Sequence, residues 1–191
     1  SAKLETNSRL YQSRFDASDW SGDLVAFELD ETGVIGSQVW RAAEKLDAKS
    51  PDSRVIMTGE SPFRWDRLTA SQKQDLRTDP DGKTAPASVG KARLDYLRGE
   101  RTDESSGSGF RVRGSRLGDI WHSSPVYVGD PSQNWPDTGT FDYGAGKRYS
   151  DFMETTTGRD GVVYVGSNDG LLHAFDASNG QEILAYAPGN L

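Results

Sequence analysis

Cysteine is absent from the 191 residues. Disulfides, thiolate zinc sites and cysteine nucleophiles are therefore excluded, although the compartment stays open, since many periplasmic and surface proteins do without cysteine. Histidine occurs only twice, as His122 and His173. No apolar run approaches the roughly 18 residues of a membrane span. Basic residues are outnumbered, 22 against 29 acidic, for a net charge of −7. Lysines and arginines are interleaved with acids and form no clustered face or basic–aromatic stripe for nucleic acid. No glycine-rich loop opens a helix after a strand. There is no initiator methionine, signal peptide or anchor motif, and the opening Ser-Ala-Lys-Leu-Glu reads as a piece of something longer.

Glycine, in contrast, is plentiful at 21 residues, which suits a chain of many tight turns. The clearest unit is Val162–Gly180, VVYVGSNDGLLHAFDASNG. It reads as a strand, a Ser-Asn-Asp-Gly turn, a second short strand, and a turn closing on Gly180. The unit recurs once. Gly22-Asp23-Leu24-Val25-Ala26-Phe27 aligns with Gly170-Leu171-Leu172-His173-Ala174-Phe175, and each is followed by an acid and a polar turn ending in glycine, Gly33 or Gly180. Two copies suggest blades of a repeating β-architecture, most plausibly a propeller. Residues 9–29 read as strand, turn at Ser21–Asp23, strand. Between the copies, residues 68–77 and 89–98 read as short helices, the first capped by Thr69 or Ser71, the second stopped by Gly99. Val126–Val128 after Pro125 reads as a buried strand, and residues 130–151 as a long polar loop. The expected layout is one domain over 1–191, with first blade strands at 8–40, a helical and loop insertion at 50–115, and further blade strands at 117–191.

Few residues suggest chemistry. His173 aligns with Val25 and reads as structural. His122 precedes two serines, but no acid is placed to orient it as in a hydrolase triad. Three acidic stretches partly match a calcium loop, which needs alternating oxygen ligands, a bend glycine and a late bidentate acid. Asp79-x-Asp81-Gly82 continues wrongly, Asp130-x-Ser132-x-Asn134 lacks the glycine, and Asp176-x-Ser178-x-Gly180-x-Glu182 reads better as a strand-linking turn. Arg98-Gly99-Glu100 differs by one methylene from the integrin-reading tripeptide. It is the candidate binding stretch, read against a plain helix stop. The five tryptophans read as core or blade-packing aromatics.

Five stretches, taken in order, resemble a known family. They are Ser8-Arg9-Leu10-Tyr11-Gln12 on to Asp19-Trp20-Ser21-Gly22-Asp23-Leu24; Pro62-Phe63-Arg64-Trp65; Ala92-Arg93-Leu94-Asp95-Tyr96-Leu97-Arg98-Gly99; Leu117-Gly118-Asp119-Ile120-Trp121-His122-Ser123-Ser124-Pro125; and Val163 to Asp176. Together they resemble the C-terminal propeller domain of the PilC/PilY family of type IV pilus biogenesis proteins. The resemblance implies a mainly β fold, part of a quinoprotein-like β-propeller with a short helical insertion. It implies a non-enzymatic factor, secreted through the periplasm to the cell surface, outer membrane or pilus tip, that supports pilus extension, twitching motility and attachment. Pilins or minor pilins, and host surface receptors, would be its partners. No cofactor is expected within these residues, and a calcium loop of the parent propeller would lie beyond Leu191. Glu100, where some relatives carry aspartate, puts integrin binding in doubt. The alternatives are a quinoprotein dehydrogenase fragment and a generic ligand-binding surface propeller. The enzyme would need a calcium-bound quinone over a stacking tryptophan.

Overall fold

The computed structural model describes residues 8–189 except 106, 108, 132, 134 and 138–147. Two sheets and four α-helices are seen among them. The first sheet is antiparallel, in the order β1 (Arg9–Asp16), β2 (Ser21–Leu29), β3 (Ile35–Arg41). Helix α1 (Ala42–Ala48) follows. The second sheet has six strands, ordered β5-β4-β9-β8-β7-β6. Strands β6 (Val126–Val128), β7 (Val162–Gly166), β8 (Leu172–Asp176) and β9 (Glu182–Tyr186) form an antiparallel meander. Strand β4 (Ile56–Thr58) then joins β9 in parallel, and the two-residue β5 (Ser61–Pro62) pairs with β4. The stretch expected to be helical and loop-like thus also supplies two strands. The architecture is mainly β, as expected. Among the described residues no closed ring of sheets is seen.

The helices form where local chemistry favours them. Helix α2 (Ala70–Arg77) starts on a capping box: the Thr69 hydroxyl accepts from the Gln72 N–H while the Gln72 side chain reaches back to Thr69 N, satisfying donors that a helix end leaves bare. Helix α3 (Ala87–Leu97) stops at Gly99, whose φ of +106° suits glycine. Helix α1 and helix α4 (Tyr149–Thr156) were not expected. Strand β6 corrects the sequence reading. It is the outer strand of its sheet and Val126, Tyr127 and Val128 are all exposed, because neither apolar cluster extends over its faces.

Two apolar clusters hold the elements together. Leu24, Ala26, Trp40, Ala42 and Leu46 meet Leu117, Ile120, Val163, Val165 and Phe175, joining β2, β3 and α1 to β7 and β8. Ile56, Phe63, Leu68 and Leu94 meet Leu171, Ala185 and Ala187, joining β4, α2 and α3 to β9. Residues on both faces of β8 are covered, which is why His173, Ala174 and Phe175 are buried in succession where a half-exposed strand would alternate.

The hairpin repeat is real but richer than the alignment suggested. Strands β2 and β3 flank a turn in which Asp30 Oδ1 accepts from Thr32 N and Oγ1; β8 and β9 flank one in which Asp176 Oδ1 accepts from Ser178 N and Oγ. The β1–β2 turn, Asp16-Ala17-Ser18-Asp19-Trp20, carries the same device, with Asp16 Oδ1 accepting from Ser18 N and Oγ. That places the turn at 17–20, whereas Ser21–Asp23, expected as the turn, begins β2. Gly22 is therefore a strand glycine, unlike Gly170, whose φ is +87°.

Candidate functional site

The residues 117–122 form a strap between the two sheets. Ser21 bridges Gly118, and Gly22 N–H donates to Leu117 O at 3.2 Å. On the other side Gly118 N–H donates to Asp169 Oδ2 at 3.2 Å, and Asn168 N–H to Asp119 O at 2.9 Å. Both glycines are dictated by space. A Cβ on Gly22 would collide with Gly118 O, and one on Gly118 would come within 2.5 Å of Asp169 N. The strap turns its apolar residues, Leu117 and Ile120, into the first cluster.

Beneath the strap lies a buried chain of charge. His173 is fully buried, and both its ring nitrogens face carboxylates: Nδ1 lies 2.8 Å from Glu182 Oε1, and Nε2 3.0 Å from Asp169 Oδ2. Glu182 in turn accepts two bonds from the Arg54 guanidinium, each 2.8 Å, the forked geometry that makes such pairs strong. Arg54 also donates to Arg98 O. Burial would raise the Asp169 and Glu182 carboxyls, but His173, with Ser167 for one and Arg54 for the other, holds each down at about 2. Burial would likewise lower His173; the charge and hydrogen bond of Asp169, then those of Glu182, override it and lift it to about 9. Sequence reasoning placed His173 as structural, and its burial in a strand agrees. It missed the ion pairs, although Asp169 four residues before a strand histidine and Glu182 across the next turn were the available signal.

The candidate stretch Arg98-Gly99-Glu100 is divided by the fold. Arg98 is 4% exposed and donates to the carbonyls of Phe63, Pro51 and Arg54. Burial, then the neighbouring Arg64 and Arg54 charges, lower its pKa. Gly99 is buried against Arg116 and Arg54. Glu100 is at the surface, where its Oε1 accepts from Arg101 N, Thr102 N and Thr102 Oγ1. Arg98 and Glu100 border an open cleft of about 470 Å³, with Trp65 and Leu94 among its walls and Arg64, Lys91 and Asp95 at its rim.

The remaining candidates are placed as follows. His122 is exposed at the surface, its ring edge-on to Trp121, and Ser123 Oγ accepts from Gly166 N–H; no triad assembles. Asp79 is paired with Arg93, Asp81 with Lys83 at 2.8 Å, and Asp176 with Ser178 and Asn179. Asp130 accepts from Gly158 N–H; Ser132 and Asn134 lie outside the described residues. None of these carboxylates converges with others into a calcium loop. The tryptophans do not all pack inside. Trp40 is buried, but Trp20, Trp121 and Trp135 are half exposed or more, and Trp20 and Trp121 each set an edge against Phe15. Among the described residues no helix is long and apolar enough to cross a membrane.

Comparison with known proteins supplies the family. A PilY1 homolog, named a type IV pilus biogenesis factor, from Xylella fastidiosa (strain Temecula1) is 36% identical over 189 residues, 98% of this chain and 14% of that protein. Type IV pilus biogenesis factor PilY1 of Pseudomonas aeruginosa is 35% identical over 202 residues in strain PAK and 37% identical over 195 in strain UCBPP-PA14, each match covering 93% of this chain and 16% of that protein. The chain fits a fragment of a PilY1-family protein. It spans about one-seventh to one-sixth of the relatives' length. No family model and no solved structure matches it. The family resemblance read from the five stretches is thereby upheld, and the fold gives them a physical reason. In this chain the first, fourth and fifth stretches meet at Gly22, Gly118 and Asp169, and Arg98 of the third donates to Phe63 O of the second.

Proposed function

We propose that this segment is a non-catalytic part of a type IV pilus biogenesis factor and tip-associated adhesin, located at the cell surface or pilus tip and supporting pilus extension, twitching motility and surface attachment. The similarity to PilY1 proteins along nearly the whole chain carries this reading. The use of the polar groups favours it over a quinoprotein enzyme: the buried charges are spent on one another and on main-chain carbonyls. In this reading the parent is a β-propeller, to which β6–β9 contribute a four-stranded antiparallel meander, and pilins or minor pilins are its partners. Calcium, if the parent uses it, is held outside these residues. A partner meeting the Arg98-Gly99-Glu100 bend would touch Glu100 and the adjoining cleft, because Arg98 is enclosed. Deleting the parent gene should remove surface pili and twitching, and blocking retraction in the same strain should restore the pili. Normal pili and motility after deletion would overturn the proposal.

A further inference from the structure

The buried histidine carries an inference independent of the pilus reading. An ionised carboxylate oxygen only accepts hydrogen bonds. His173 Nδ1 meets Glu182 Oε1 at 2.8 Å, and Nε2 meets Asp169 at 3.0 and 3.2 Å. The Ser167 hydroxyl also lies 3.1 Å from Nε2, but its single proton is taken by Asp169 Oδ1. A bare Nε2 would therefore face the Asp169 carboxylate lone pair to lone pair, and each ring nitrogen is matched only as a donor. We infer that His173 is a buried imidazolium that latches the strap 117–119 to the sheet, and that alkali opens this latch by removing the ring proton.

The linkage runs through named atoms. Asp169, in the turn before β8, accepts from His173, from Ser167 Oγ, from Leu171 N–H and from the strap's Gly118 N–H. Glu182, at the start of β9, accepts from His173 and from Arg54, which precedes β4, and its own carbonyl accepts from Lys49 Nζ at 2.6 Å, just past α1. From β7 the histidine meets Val165, which carries no charge, and on β8 itself the Phe175 ring stacks 5.6 Å away. Across the turn Asn168 is tied to Asp119 of the strap. The charges that face the ring are thus Asp169 and Glu182, with Arg54 and Lys49 one bond further out. Once the ring is neutral it has one proton for two anions, and one of the two carboxylates loses its partner in the interior. Glu182 keeps Arg54. Asp169 keeps only neutral donors, so it is the side that lets go, and with it the strap.

The direction of the pH dependence follows. A histidine raised from its ordinary 6.5 to about 9 stabilises the fold fully below pH 6.5, and that contribution fades as pH climbs through about 9. The lowered carboxylates act at the other end, their contribution being lost only as pH falls toward about 2. Between those limits the latch is closed.

Two measurements on the 191-residue chain decide the matter. Nitrogen-15 spectra of the imidazole at pH 7 should show both ring nitrogens protonated, and the signature should persist to near pH 9; one protonated and one bare nitrogen at pH 7 would overturn the inference. Amide exchange then tests the latch. Between pH 8 and 10 the Gly118 and Asn168 amides should lose protection relative to Leu24 and Ala26 of β2, by about tenfold for each pH unit above the ring's titration. Equal pH dependence at both places would mean a buried charge with no latch. In His173→Gln the excess loss should vanish; its persistence would assign the effect to another group. If that variant fails to fold, the nitrogen spectra and the exchange comparison of the unaltered chain still decide.

Discussion

The hairpin of β2 and β3 and the hairpin of β8 and β9 begin from nearly the same residues and reach different interiors. Val25 and His173 stand at matched positions and both are fully buried. Val25 needs nothing but apolar neighbours. His173 needs two carboxylates, an arginine behind one of them, and a strap to shield the other. The turns diverge in the same way. Gly180 has a φ of +74° and lies against the Trp40 ring, while Trp20, which ends the Asp16-Ala17-Ser18 turn before β2 as Gly180 ends the Asp176-Ala177-Ser178 turn after β8, takes a φ of +53° with its indole largely in solvent. A shared local pattern therefore fixes a hairpin and leaves open what each side of it meets. Burial of a charge binds an element to particular partners, whereas burial of a valine binds it to any well-shaped wall.

The comparison can be broken most forcefully at Glu182. Glu182→Ala leaves the Arg54 and His173 cations in the interior without their shared partner, and unfolding by denaturant should show a loss of about 3–5 kcal/mol; a loss near that of an exposed glutamate would mean that the charges do not depend on one another. Next is Gly180→Ala. Its Cβ would stand 2.7 Å from the Trp40 ring in a left-handed conformation, and thermal unfolding should reveal a cost of roughly 2–4 kcal/mol. Thr69→Ala should remove one side of the capping box and cost about 1 kcal/mol, felt as faster amide exchange in α2 with β8 and β9 unchanged. The smallest effect should come from Trp20→Gly. Relief of the left-handed backbone, about 1 kcal/mol, offsets the lost ring contact with Phe15, about 0.5–1.5 kcal/mol, so the melting temperature should barely move. A large drop there would show that the two turns are not equivalent.

What could be read from the residues was what a few neighbours decide. Thr69 with Gln72, Gly99 after Leu97, and the recurring Asp-x-Ser or Asp-x-Thr turns each act within a handful of positions, and each lies where the sequence placed it or within a few residues. The exposed β6 escaped because Val-Tyr-Val has the same appearance on an outer strand as on an inner one. Strand β4 escaped because its partner β9 is distant in the chain and three residues carry no period. The ion chain from Asp169 to Arg54 escaped for a related reason: Glu182 was read as part of a turn, and only the sheet register brings it under His173. Trp20 and Trp121, expected inside, show that size and apolarity alone do not assign a side chain to the interior.

The parallel seam of β4 on β9 has a consequence for timing. Residues 56–57 are paired with 185–186, and Arg54 with Glu182. At ribosomal rates of about 5–20 residues per second, roughly 6–25 seconds separate the synthesis of the two sides of that seam. Throughout that interval Arg54 lacks Glu182, and β4 has only the two-residue β5 to pair with. The segment is therefore held open by its own topology until β9 emerges, long enough for a chaperone or an export machine to engage it before it can close.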